Sequence, residues 1–97
     1  MNLQQRNNVQ VLGHGRATVV FSHGFGCDQA MWRFLAPHHA ERFKVVLYDL
    51  VGAGNSMIEA YDRDKYATLN GYAHDLTELI RAFATGPVIL VATRSVR

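Results

Sequence analysis

The 97-residue sequence holds a single cysteine, Cys27, so no disulfide can close within it, and a reducing compartment is the simple expectation. No apolar stretch approaches the roughly 20 residues that span a bilayer. Met1 to Asn8 is too polar to be the apolar core of a signal peptide, so a cytoplasmic protein with no membrane partner is expected. Ten Lys and Arg stand against eight Asp and Glu, and the basic residues form no run or stripe, which argues against nucleic acid as a partner. Two of the ten are Arg94 and Arg97, so the pI near 9.0 carries no functional weight. None of His14, His38, His39 and His74 has a second ligand at metal spacing, and neither metal nor cofactor is expected.

What is present has an ordinary globular balance, 48% hydrophobic and 19% charged, enough for one small core in one domain. Asn8 to Leu12 alternates polar and apolar, Gly13-His14-Gly15 supplies a turn, and Ala17 to Phe21 is a more buried strand. Together they read as a β-hairpin. Asp28 is placed to cap a short helix carrying Met31, Trp32 and Leu35 and ending at Pro37. Phe43 to Tyr48 is the next strand, closed by Asp49 and the glycines Gly52 and Gly54.

Leu69, Tyr72, Ala73, Leu76, Leu79, Ile80 and Phe83 recur at three- and four-residue intervals, one face of an amphipathic helix capped by Thr68 or Asn70. Gly86-Pro87 ends it, and Val88 to Val91 reads as a buried strand. Strands alternating with helices predict an α/β fold, a mostly parallel sheet with helices on its faces after the N-terminal hairpin.

Three stretches at strand ends are able to carry chemistry, since open parallel sheets collect their sites there. His23-Gly24-Phe25-Gly26 joins a strand to a helix start, where glycines let backbone N–H groups face outward and hold an oxyanion. The same residues also fit an ordinary turn with a buried, hydrogen-bonded His23. Gly24 and Gly26, with Asp49 at the next strand's end, imitate half of a dinucleotide fingerprint. Gln29 at its third glycine position argues against that reading. The loop Asp49 to Ser56 fits a structural role with Ser56 as a local cap, and no lysine follows its glycines as a phosphate loop requires.

The third stretch is the last strand and Ser95. A nucleophile elbow needs small residues two before and two after its serine, and here those are Thr93 and Arg97. Ser95 is thus a weak nucleophile candidate. Cys27, beside the candidate anion turn at a helix start, is either a reactive thiol or a small packing residue.

From Asn8 to Val91 the chain resembles the N-terminal third of an α/β-hydrolase, and within that superfamily the RsbQ stress-response regulators of bacteria and the karrikin and strigolactone receptors of plants. His23 to Gln29 with Trp32, Val45 to Gly54 with Ser56, Tyr61 to Arg63, Tyr66, Leu69, Gly71 to Ala73, Asp75-Leu76 and Val88 to Val91 carry the likeness. It implies a serine hydrolase fold with a small apolar pocket, taking a small hydrophobic ligand or ester. For the RsbQ branch it implies a role in sigma-B regulation and a PAS-domain phosphatase as partner. It also implies that Phe25 gives one oxyanion-hole N–H. The nucleophile should follow Val91 as Gly-His-Ser-Val-Gly, which places the serine at position 94, where this chain has Arg94.

A single-base deletion accounts for that mismatch. Gly-His-Ser-Val-Gly-Ala written GGC CAC TCG GTC GGT GCG, read without its first base, becomes Ala-Thr-Arg-Ser-Val-Arg, the residues from Ala92 to Arg97. Residues 8–91 are therefore expected to be family sequence and 92–97 a frameshifted tail, with the fold truncated at the nucleophile elbow. Such a chain lacks the acid and histidine that follow the serine in these enzymes. It should be inactive and present the last strand as an apolar edge. The alternatives are an esterase completed by another chain and a non-catalytic ligand or partner module.

Overall fold

The computed structural model describes residues 2–93. Its elements are α1 (Leu3–Arg6), β1 (Gln10–Leu12), β2 (Thr18–Ser22), a one-turn helix (Gln29–Trp32), α2 (Leu35–His39), β3 (Lys44–Leu47), two further one-turn helices (Ile58–Ala60 and Lys65–Ala67), α3 (Leu69–Phe83) and β4 (Val88–Ala92). The four strands form one mixed sheet in the order β1-β3-β2-β4. β2 runs parallel to both β3 and β4, with Val20 beside Val46 and Leu90.

The N-terminal hairpin does not form. β1 pairs antiparallel with β3, Gln10 opposite Leu47 and Leu12 opposite Val45, and β3 separates it from β2. The connection between β1 and β2 instead crosses the entry to β3. At Gly13, with φ of 65°, a Cβ would lie 2.7 Å from the Phe43 carbonyl oxygen, and at Gly15 one would meet the Arg42 carbonyl oxygen. The glycines that suggest a hairpin turn are what allows this close crossing.

Alternation along the strands divides the core between the two faces. Val20, Val46 and Tyr48 point to one face, where Val9 and Leu79 of α3 complete a buried cluster with Leu3, Tyr72, Leu76, Ile80 and Phe83 against it. Val19, Phe21, Val45 and Leu47 point to the other, under Trp32 and Ala36. The Phe21 and Trp32 rings lie 5.0 Å apart.

Asp28 caps the one-turn helix through the Ala30 N–H at 2.8 Å. The chain then continues into α2 rather than stopping at Pro37. Pro37 lies in the first turn of α2, where a missing N–H costs no intrahelical bond. Thr68 caps α3, and its apolar face packs as the periodicity predicts except at Leu69, which is 68% exposed in the first turn, and at Ala73, which is exposed one turn on.

β4 is not the buried strand its apolar run alone suggests but the apolar edge expected of the truncated fold. Among the described residues it pairs with β2 alone, and Val88, Ile89 and Leu90 stay partly exposed. No helix among the described residues is long and apolar enough to cross a membrane.

Candidate functional site

The carboxyl ends of β2, β3 and β4 meet beside the N-terminal half of α3. Immediately after β2, Gly24 to Cys27 makes a tight turn closed by the Cys27 N–H on the Gly24 carbonyl at 3.2 Å, with Gly26 at φ of 88°. His23 fixes that turn from beneath. Its Nε2 accepts the Leu50 N–H at 2.9 Å, so the proton sits on Nδ1, which donates to the Gly24 carbonyl at 2.8 Å. Both ring nitrogens are committed and the ring is buried, so the buried, hydrogen-bonded reading of His23 holds and leaves no free nitrogen for proton transfer.

The Phe25 N–H has no acceptor among the described residues, and Phe25 is 39% exposed at the turn's tip. Its ring meets Tyr72 of α3 edge to face with centroids 5.1 Å apart. Tyr72 in turn packs on Tyr66 at 4.8 Å, and Tyr66 stacks on Tyr61 at 5.6 Å. An aromatic row thus runs from the turn to the loop before α3.

A cavity of about 340 Å³ opens between the turn and α3, walled by Phe25, Leu50, Leu69, Tyr72 and Leu76. Ser22 and Tyr48 also line it, their hydroxyls 2.7 Å apart. Burial pushes the Tyr48 phenol above its ordinary pKa, with the Ser22 hydrogen bond acting the opposite way. Thr93, at the exit of β4, reaches the same cavity, and its N–H donates to the Ser22 carbonyl at 3.3 Å. A larger, open hollow of about 550 Å³ lies toward β1 and α2, lined in part by Asp49, Gln29 and Arg33.

Asp49, the acid of the dinucleotide-like pattern, is consumed internally. Oδ1 accepts the Gln29 N–H at 2.8 Å, while Oδ2 accepts Asn8 Nδ2 at 3.0 Å and the Asn55 N–H at 3.1 Å. It is 1% exposed and joins three chain segments, leaving nothing for a ribose hydroxyl. The Gly52 N–H donates to Ser56 Oγ at 3.0 Å, so Ser56 closes the loop as expected.

Arg94 and Ser95 lie outside the described residues. Cys27 is half-buried.

One buried polar cluster escaped the sequence reading. Arg6 of α1 lies 3.3 Å from Asp75 and 2.8 Å from Glu78, and Asp75 also accepts Lys65 Nζ at 2.8 Å and the Tyr66 hydroxyl at 2.7 Å. The signal for it was an aspartate between Tyr72 and Leu79 on the apolar stripe of α3, where a charge demands a partner. Beside Arg6, the Glu78 carboxyl is held below its ordinary pKa, and the Asp75 hydrogen bond raises Lys65. His74, Asp75 and Glu78 bring ligand atoms within 4.8 Å of one another. Two cationic side chains already hold those carboxylates, so the cluster is an ion-pair network and a poor place for a metal ion.

The family model described as "Alpha/beta hydrolase family" matches residues 19–93. Over 89 residues the chain is 42% identical to the karrikin insensitive 2 receptor CA of Petunia hybrida, covering 92% of this chain and 33% of the receptor. Over 73 residues it is 42% identical to the strigolactone esterase RMS3 of Pisum sativum, covering 75% of this chain and 27% of the esterase. Among solved structures, a hydrolase from Oleispira antarctica superposes with a TM-score of 0.84 at 37% identity, covering 94% of this chain and 33% of that one. The chain spans about a third of the length of these relatives.

Proposed function

The chain belongs to the alpha/beta hydrolase family, and from that premise we propose that it carries the oxyanion-binding part of an esterase for small apolar substrates, without a nucleophile to use it. The observation that carries this reading is the turn after β2. His23 ties Gly24 to Leu50, and the Phe25 N–H beside it has no acceptor among the described residues, with Phe25 itself on the cavity wall.

A substrate carbonyl seated beside that N–H would have its developing negative charge met by a fixed donor in a partly apolar setting. One such donor is worth about 2.7–4 kcal/mol at the transition state. The remaining parts are another matter. The family's register puts the nucleophile at position 94, and an arginine there offers no attacking oxygen. Ser95 stands one residue late, and His23 has no nitrogen free to act as base. The relatives' threefold greater length supports reading residues 8–91 as the first part of such an enzyme. The acid and the histidine of a triad would then come from sequence beyond these residues or from another chain.

A small aryl ester assayed with the 97-residue chain tests this reading. The expected result is no saturable turnover and no effect of Ser95→Ala. Saturable turnover that disappears in Ser95→Ala would overturn it in favour of an esterase completed by a partner. The sigma-B signalling role and a PAS-domain phosphatase partner rest on the sequence resemblance alone. Pull-down with such a phosphatase is their test.

A further inference from the structure

The Ser22 and Tyr48 hydroxyls stand 2.7 Å apart on the wall of the cavity below the anion turn, at the carboxyl ends of two adjacent parallel strands. Their proton count is uneven. Two hydroxyls bring two O–H protons, and the one hydrogen bond between them uses one. Among the described residues neither hydroxyl has another partner, so one O–H is left to give. Tyr48 is 1% exposed and fixed in the core cluster under Leu79, so the pair cannot swing out to bulk water as a surface serine would. Around it the wall is largely apolar: Phe25, Leu50, Leu69, Tyr72 and Leu76.

We propose that the Ser22–Tyr48 hydroxyl pair is a specificity element that donates one hydrogen bond to a carbonyl or ether oxygen of a small, otherwise apolar ligand in this cavity. The inference rests on the esterase reading above and gives that site its substrate class, a compact apolar molecule with an acceptor on one side. Ser22 sets the preference because it is the half-buried member that reaches the cavity, and Tyr48 positions it. A volume of about 340 Å³ is enough for a single substituted ring. The pair is neither nucleophile nor base in this scheme. Its role is to recognise the ligand, and no bond is made or broken on it.

Acetophenone and ethylbenzene, which share a ring and differ in the acceptor, separate this role from plain apolar filling. Binding of each is measured by ligand-observed NMR at micromolar concentrations of the 97-residue chain. The ketone should bind roughly three- to tenfold more tightly, the range expected of one neutral hydrogen bond. Ser22→Ala should abolish that preference, bringing the two affinities together, and Tyr48→Phe should weaken it. Tyr48→Phe keeps the buried ring and guards against reading a folding defect as lost recognition. Equal binding of the two ligands, a preference that survives Ser22→Ala, or no binding of either would each overturn the proposal. The readout involves no turnover, so its outcome is independent of whether the chain hydrolyses esters.

Discussion

His23 Nε2 accepts the Leu50 N–H at 2.9 Å, and that one ring ties the turn after β2 to the chain leaving β3. The side chain is fully buried, and its other nitrogen holds the Gly24 carbonyl at 2.8 Å. His23→Ala would orphan the buried Leu50 N–H and release Gly24 together. A loss of about 1–3 kcal/mol is expected from the unpaired donor alone. Denaturant unfolding measures the loss, and hydrogen exchange should show the Leu50 and Cys27 amides accelerated well beyond those of β3.

Asp49 makes a sharper demand on its neighbours. At Gly54, with φ of 53°, a Cβ would stand 2.6 Å from the Asp49 carboxyl carbon, whereas at Gly52 it would meet only the Tyr61 ring at 3.5 Å. Both positions strain an L-residue, but only the first also collides with a buried hub. Gly54→Ala should therefore destabilise the chain by more than Gly52→Ala, the difference being about 1 kcal/mol or greater. Equal losses in denaturant unfolding would contradict this role of Asp49.

Arg6 and Asp75 are both nearly sealed from solvent, with side chains 9% and 3% exposed. Removing the guanidinium leaves Asp75 with Lys65 and the Tyr66 hydroxyl, so Arg6→Ala should cost about 3 kcal/mol, the lower end for a broken buried pair. Glu78, the more exposed partner, should matter far less. Unfolding of Arg6→Ala and Glu78→Ala under identical conditions checks the order.

The pKa shifts set the alkaline limit. Burial raises Tyr48, Tyr66 and Tyr72, and the Asp75 hydrogen bond raises Lys65. In each case the folded chain holds its proton more tightly than the unfolded one. Stability is therefore fully present below about pH 10, the ordinary range of these groups, and falls as pH rises through the folded values. Tyrosinate absorbance and unfolding followed together should show ionisation of these tyrosines coinciding with loss of structure. Tyrosines that ionise freely in a chain still folded would refute it.

Much of this was legible in the residues. The 3.6-residue stripe of α3, the strand–helix alternation and the His23 turn follow from local periodicity and from glycine, which leave direct traces in sequence. The pairing of β1 does not. Leu12 and Thr18 are close enough in sequence to suggest a hairpin, and only the crossing over residues 40–43 shows why β3 comes between their strands. Asp49 and Arg6 were illegible for a related reason, since their partners lie on segments far apart in the chain. The Ser22–Tyr48 pair likewise depends on the parallel register of β2 and β3, which no local pattern encodes.

The β4 edge offers a test in solution. Ile89 and Leu90 are 46% and 49% exposed on a strand that pairs with β2 alone among the described residues. Such an edge templates pairing with other chains. Sedimentation should show association that grows with concentration and is reduced by Ile89→Lys. A monodisperse, cooperatively unfolding monomer would contradict the expectation.

The central claim is that residues 92–97 are the family's nucleophile elbow read one base out of frame. Sequencing the coding DNA from Val91 onward tests it most directly. The account predicts codons that, shifted back by one base, spell Gly-His-Ser-Val-Gly and continue into an aspartate and then a histidine. Codons for 92–97 that cannot yield that sequence in the shifted frame would contradict it.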